Sequence, residues 1–274
     1  MLPYIKRELG VEVIIKNVPM NAGKTGTVQF WRSKPDGHTL LFVDVGRRIV
    51  DQMVTEINPW DINQFTWIAQ IDKSIFGLAV AADSPYYTVE DLQKAGLERP
   101  MRLGCSEPNR NEIIPPNALA IPHTFVSGYS GSGAAMLGLI RGECDMVSYS
   151  LTSILPLVLG GDLRLIVSYS DERSALLEDS GLDVPSATEI GYPALAPLFG
   201  SRSVAAPPGT PAHITAALDK AFYNAINDPG YLAWAEKAKR PVTYANGDEV
   251  TNIIAELYGL FSEWQTELKT YVAG

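Results

Sequence analysis

Two rhythms of apolar and polar positions alternate along the chain. Val11-Glu12-Val13-Ile14-Ile15-Lys16-Asn17 and Thr39-Leu40-Leu41-Phe42-Val43-Asp44-Val45 are short apolar, β-branched runs, and each predicts a strand. Between them lie a turn-rich loop, Val18-Pro19-Met20-Asn21-Ala22-Gly23-Lys24-Thr25-Gly26, and a helical stretch over 27–34 that Pro35-Asp36-Gly37 stops. The second strand ends at Gly46-Arg47-Arg48. This strand–loop–helix–strand order is the rhythm of a parallel α/β sheet. Residues 58–65 read as irregular, with Trp60 as a packing residue. Two further strands are predicted over 67–73 and 76–82. A helix over 88–95 follows, with Thr88 as its N-cap and Asp91 three residues on.

A second α/β set begins with a strand over 101–105 and a polar loop over 106–111. A helix starts near Glu112, and Pro115-Pro116 is expected to interrupt it. The strand over 123–127 runs into Gly128-Tyr129-Ser130-Gly131-Ser132-Gly133. There Ser132 is placed to cap a helix over 134–141. Residues 144–150 form a strand ending in hydroxyls, 151–159 a helix stopped by Gly160-Gly161, and 163–169 another strand. An extended segment over 203–206 leads to Thr210 as a cap, with Pro211 at the first position of a helix reaching Asn227. Helices over 230–239 and 248–271 complete the chain. In the last, Leu257, Leu260, Phe261, Trp264 and Leu268 form one apolar face.

This order describes an α/β protein of two domains, residues 82–202 being inserted between residues 1–81 and 203–274. Crossings near 79–82 and 203–206 form the hinge. Ligands of α/β sheets sit at the carboxyl ends of parallel strands. The loops 21–26, 45–48, 106–111 and 128–133 and the strand end 148–152 are therefore expected to line one interdomain cleft.

Composition narrows the function. The 274 residues carry a formal net charge of −9, which argues against a nucleic-acid partner. No apolar run approaches the roughly 20 residues of a membrane span. Cys105 and Cys144 are too few for a disulfide scaffold or zinc site, and on parallel neighbouring strands their sulfurs would lie at opposite ends. No signal peptide opens the chain. Its first ten residues read as the second half of an amphipathic helix stopping at Gly10, so the leader is expected to have been removed or the first domain to start upstream.

The strand–turn–helix at 126–135 directs backbone N–H groups one way with a helix dipole behind them, which makes an anion site. The expected ligand contacts are Ala22, Gly23, Lys24, Thr25, Arg47, Ser106, Tyr129, Ser130, Gly131, Ser132, Ser148 and Ser150. Tyr129 either closes on the ligand or packs. Of Arg47 and Arg48, one is expected to face the cleft and grip a carboxylate. Alternation puts Ser148 and Ser150 on one strand face, and Asp145 reads as structural. A serine hydrolase using Ser130 or Ser132 is the alternative. However, Gly128-Tyr129-Ser130-Gly131-Ser132 misses the last glycine of the nucleophile elbow, and His38, His123 and His213 are poorly placed as bases. No motif calls for a metal or a cofactor.

The loop at 17–26 resembles the N-R-P-G-A-G-G-x-x-G loop of the tripartite tricarboxylate transporter receptors, the Bug-type extracytoplasmic solute-binding proteins. Pro35-Asp36-Gly37-His38-Thr39-Leu40-Leu41 resembles their P-D-G-Y-T-L-L. Tyr129 to Ala135 stands at their Y-K-G-x-x-x-A, and Arg141 to Asp145 at G-G-x-V-D. Gly161 to Leu165 stands at G-K-L-R-A-L, Val184 to Gly191 at V-P-T-x-x-E-x-G, and Ala206 to Pro211 at A-P-A-G-T-P. Ser130 replaces the usual lysine, Lys24 a glycine, and Met20-Asn21 a Gly-Ala step; Ser201-Arg202 stands where an aromatic is usual. The resemblance implies a type II periplasmic binding (Venus-flytrap) fold, whose first strand and glycine-rich loop would lie upstream of Met1. It also implies a periplasmic, monomeric receptor that is not an enzyme. Such a receptor captures a small organic di- or tricarboxylate, or an aromatic acid, for membrane permease subunits.

Overall fold

The computed structural model describes residues 1–18, 20–55, 58–240 and 242–272, without the side chains of residues 22 and 272. Pro19 of the first loop and the side chain of Ala22 thus lie outside the described residues. In chain order the elements are α1 (Leu2–Leu9), α2 (Lys24–Trp31), β1 (Leu41–Asp44), α3 (Val45–Val54), β2 (Thr66–Ala81), α4 (Val89–Glu98), β3 (Met101–Gly104), α5 (Arg110–Ala118), β4 (His123–Val126) and α6 (Ser132–Ile140). There follow β5 (Val147–Ser150), α7 (Leu151–Leu159), β6 (Leu163–Ser168), α8 (Ala175–Glu178), β7 (Phe199–Ala206), α9 (Ala212–Ile226), α10 (Pro229–Lys237), β8 (Ala245–Asn246), α11 (Gly247–Glu263) and α12 (Gln265–Val272). The chain divides into two compact units, Met1–Lys73 with Ser201–Gly259 and Ser74–Gly200 with Leu260–Gly274.

In the first unit β7 lies between β1 and β2. It runs antiparallel to β1, with Leu41 opposite Ala205 and Asp44 opposite Arg202. Ile68, Val204, Leu218, Phe222 and Ala225 form a core to which α1 adds Ile5. Phe65 gathers Phe30, Trp60 and Trp67 within 5.1–6.0 Å, which confirms Trp60 as a packing residue.

Three sequence expectations fail in this unit. Residues 11–17 form no strand: Ile14 is 87% and Ile15 66% exposed, and only Val13 reaches the core. β-Branched residues favour a strand only where a neighbouring strand and a buried face receive them. Without that strand, β1 pairs antiparallel with β7, which comes from distant sequence, and the parallel ladder expected here is absent. Residues 45–48, read as a strand end and cleft loop, instead open the helix α3, Val45–Val54. Asp44 caps α3 by accepting the Arg47 N–H at 3.1 Å, and Ile49, Val50 and Val54 are buried. The two strands expected over 67–82 are one sixteen-residue strand, β2, whose halves serve the two units.

In the second unit β5 and β6 flank β2, both antiparallel, with Phe76 opposite Ser150 and Ala81 opposite Leu163. Gly77 is required here, because a Cβ on it would lie 2.8 Å from the Val167 carbonyl. Among the described residues of this unit, β3 pairs parallel with β4, and the isolated bridges Leu103–Met146 and Ser168–Ser186 are also parallel. Met136, Leu139, Val147, Leu151 and Leu155 centre the core. The prolines do not interrupt α5. Asn109 and Glu112 cap it reciprocally, and the Leu119 N–H reaches the Pro115 carbonyl at 2.8 Å. Thr88 and Asp91 form the expected reciprocal cap of α4. The last helical stretch is divided at Trp264 into α11 and α12, and α12 packs on α5. Pro211 is the N-cap of α9, not its first residue, while the Thr210 hydroxyl donates to the Pro207 carbonyl at 2.7 Å. Both cysteines are free and buried. The Cys144 sulfur lies against Gly104, the neighbour of Cys105, instead of at the far end of the pair.

Candidate functional site

In the first unit the loop before α2 winds through a single 3₁₀ turn, Met20–Gly23. Gly23 ends it in the left-handed region, φ 84°, which glycine adopts without steric cost, and becomes the N-cap of α2 with no side-chain cap bond. A Cβ there would lie 3.6 Å from an Arg48 guanidinium nitrogen, so that guanidinium lies against the loop. Arg48 is 3% exposed, and its Nη1 lies 2.9 Å from Asp51 Oδ2. Lys24 Nζ lies 3.5 Å from the other oxygen of the same carboxylate. Arg47 is half-buried in the first turn of α3. The structure thus brings Gly23, Lys24 and Arg48 together. Thr25 follows in the first turn of α2. Arg202 pairs with Asp72.

In the second unit the turn after β4 is pinned to the carboxyl end of β3. Gly128 N–H donates to the Ser106 carbonyl at 3.0 Å, and Tyr129 N–H to the Cys105 carbonyl at 3.4 Å. Gly128 has φ 100°, a conformation that favours glycine. Tyr129 packs: a Cβ on Gly138 would fall 2.4 Å from its oxygen, and that oxygen donates to Glu143 Oε2 at 3.0 Å. Burial first, then the Glu143 carboxylate, pushes the Tyr129 phenol up to about 12. Ser130 is exposed. Gly131, not Ser132, is the N-cap of α6, and no side chain caps it. Among the described residues, the first α6 amide to find an acceptor is Ala135, on the Gly131 carbonyl at 3.1 Å.

The strand-end serines lie deeper. Ser148 is fully buried, its hydroxyl 3.1 Å from that of Tyr169. Ser150 Oγ lies 2.9 Å from Ser153 Oγ and 3.3 Å from Thr152 Oγ1. Ser106 is exposed. Asp145 is structural as expected. Burial would raise its pKa, but hydrogen bonds from Arg102 and Arg99 and the Arg102 backbone hold it well below the usual carboxylate range.

Sequence reasoning missed two residues of this region. Arg110 is 2% exposed, its guanidinium 5.6 Å from the Phe76 ring centre. The Tyr149 hydroxyl is buried beside the Ser106 side chain, and burial raises its pKa. Both lie next to stretches the pattern had marked, the loop 106–111 and the strand end 148–152.

The arrangement offers hydrogen-bond donors to an anion but, among the described residues, no serine nucleophile paired with a histidine base. Neither Ser130 nor Ser132 hydrogen-bonds a histidine among the described residues. His123 Nδ1 is engaged with the Ile121 carbonyl. No group of His, Cys, Asp or Glu among the described residues could hold a metal ion. No helix among them is long and apolar enough to cross a membrane.

Two α/β units joined by β2 and β7 make the architecture of a two-domain periplasmic binding protein. The sequence model described as "Tripartite tricarboxylate transporter family receptor" matches residues 3–259, and the chain belongs to that family. It is a receptor family, so the protein is a solute-binding protein and not an enzyme. A UPF0065 protein of Cupriavidus necator is 27% identical over 259 residues, covering 90% of this chain and 75% of the relative. MatC from Rhodopseudomonas palustris, solved with bound malate, superposes with a TM-score of 0.82 at 19% identity, covering 97% of this chain and 91% of that one. A second R. palustris protein, solved with adipate, gives 0.83 at 18% identity, covering 97% and 90%.

Proposed function

We propose that the protein captures a small organic carboxylate outside the cytoplasm and delivers it to the membrane permease of a tripartite-type transporter. The observation that carries this reading is the start of α6. Its first amides find no acceptor among the described residues, no side chain caps it, and two backbone bonds fix the turn that presents it. Such a helix start binds anions through free N–H groups and the positive end of the dipole. The start of α2 repeats the device, with Lys24 and Arg48 adding positive charge. Gly23, Lys24, Thr25, Ser106, Ser130, Gly131 and Ser132 are the proposed contacts. Tyr129, Ser148 and Ser150, held in packing or buried hydroxyl pairs, are proposed to shape the site behind them. The malate- and adipate-bound neighbours support the ligand class.

A thermal-shift panel of dicarboxylates, tricarboxylates and aromatic acids tests it. Ligand at 100 times its dissociation constant adds about 2.7 kcal/mol to stability. A panel in which no acid raises the melting temperature would refute the reading.

A further inference from the structure

The last helix of the chain closes over a histidine with one ring nitrogen unused. His123 opens β4, opposite Met101 of β3. Its Nδ1 lies 2.9 Å from the Ile121 carbonyl, and a carbonyl only accepts, so Nδ1 carries the proton of the neutral ring. Nε2 is then an acceptor. It is buried and has no hydrogen bond among the described residues. Its surroundings are aromatic. The Phe125 ring centre lies 5.2 Å and the Tyr271 ring centre 6.2 Å from that of the imidazole, and those two rings meet edge to face at 5.0 Å. Tyr271 comes from the last turn of α12, which packs on α5. The chain passes from the first unit to the second within α11, so α12 anchors its end on the second unit.

We propose that His123 and Tyr271 form an acid-sensitive latch: α12 is seated while the imidazole is neutral, and a second proton, taken at Nε2, unseats it. A buried charge has to be paired or hydrogen-bonded, and Nε2 has no such partner among the described residues. Water reaches that nitrogen once Tyr271 lifts. No carboxylate offsets the charge. Of the charged groups on the elements adjoining β4, Arg102 of β3 pairs with Asp145. Lys94 and Glu98 of α4, Arg110 and Glu112 of α5, and Glu267 and Lys269 of α12 form no ion pair with His123 among the described residues. Burial, opposed by the Ile121 bond, lowers the His123 pKa from its ordinary 6.5. The unlatched form therefore binds the proton more readily. Seating is complete above about pH 6.5 and weakens as pH falls through that value.

Hydrogen exchange of the full chain at about pH 7.5 and about pH 5 tests the latch, with protection factors corrected for intrinsic rates. Wild-type α12 amides are expected to lose protection roughly threefold or more at the lower pH, while α9 amides keep theirs. His123→Asn retains an N–H for the Ile121 carbonyl but does not titrate, so its α12 should be equally protected at both pH values. The chain has three histidines, so NMR can follow each ring. His123 should titrate below 6.5 in wild type and move up in Tyr271→Ala, which uncovers Nε2. Wild-type α12 protection that ignores pH, the same loss in H123N, or a wild-type His123 that titrates at or above 6.5 overturns the proposal. The wild-type titration needs no variant, so it decides the matter even where H123N or Y271A fails to fold.

Discussion

Arg48 and Asp51 form an ion pair with N···O 2.9 Å, and the two residues are only 3% and 1% exposed. Lys24, the first residue of α2 after the Gly23 cap, approaches the other oxygen of the same carboxylate. A buried pair of this kind is costly to break, because the surviving charge loses a buried partner. Arg48→Met is therefore expected to lower stability by about 3–5 kcal/mol in urea unfolding. The double variant R48M/D51L should recover most of that loss, since replacing both charges by apolar groups is often neutral. A single variant with an unchanged unfolding midpoint would show that the pair does not hold the loop.

Gly138 and Tyr129 make a second testable relationship. Gly to Ala inside a helix ordinarily stabilises by up to about 1 kcal/mol. At Gly138 the new methyl would lie 2.4–2.7 Å from the Tyr129 ring and its oxygen. Gly138→Ala is therefore expected to destabilise by about 1–3 kcal/mol, the usual cost of overpacking. Adding Tyr129→Ala should remove the clash, so the two changes should be less than additive. Additive effects would place the ring elsewhere.

Asp145 is expected to contribute to the acid sensitivity of the second unit. Its carboxylate takes five hydrogen bonds, two from the Arg99 side chain at 2.7 and 3.2 Å, two from the Arg102 side chain at 2.9 and 3.2 Å, and one from the Arg102 N–H at 2.8 Å. Its folded pKa lies below the unfolded value, so below about pH 4 the unfolded chain binds more protons. The stabilisation is complete above that pH and is lost as pH falls towards the folded pKa. Asp145→Asn should lower stability at pH 7 and flatten the slope of stability against pH below about pH 4. An unchanged slope would assign acid unfolding to other carboxylates.

These relationships also show which parts of the structure the residue pattern reveals. The α4 cap was legible because Thr88 and Asp91 interact within one turn. The strand–turn–helix at Gly128 to Ser132 was legible for the same reason, down to an error of one position in the cap. Residues 11–17 were misread because strand propensity is realised only through a partner strand. The helix α3 was hidden because Gly46-Arg47-Arg48 resembles a turn until Asp44 is seen to cap it and Ile49 and Val50 to be buried. Arg48 and Tyr149 share one difficulty. A sequence shows their chemistry but not the burial that gives an arginine a buried carboxylate or raises the pKa of a phenol.

Ser132 separates a helix start that merely folds from one that binds. It is the first helical residue of α6, where the N–H has no partner inside the helix. Proline is well tolerated at that position, since the N–H it lacks is not used there. The preceding residue, Gly131, is already extended (φ 160°, ψ −179°), which is what a following proline demands. Ser132→Pro thus removes one amide and one hydroxyl from the proposed anion site while leaving the helix intact. Its melting temperature without ligand should stay close to wild type. Affinity for whichever carboxylate the panel identifies should fall by roughly 5–10-fold, the worth of about one hydrogen bond to a charged group. An S132P protein that melts normally and binds as tightly as wild type would remove the start of α6 from the site.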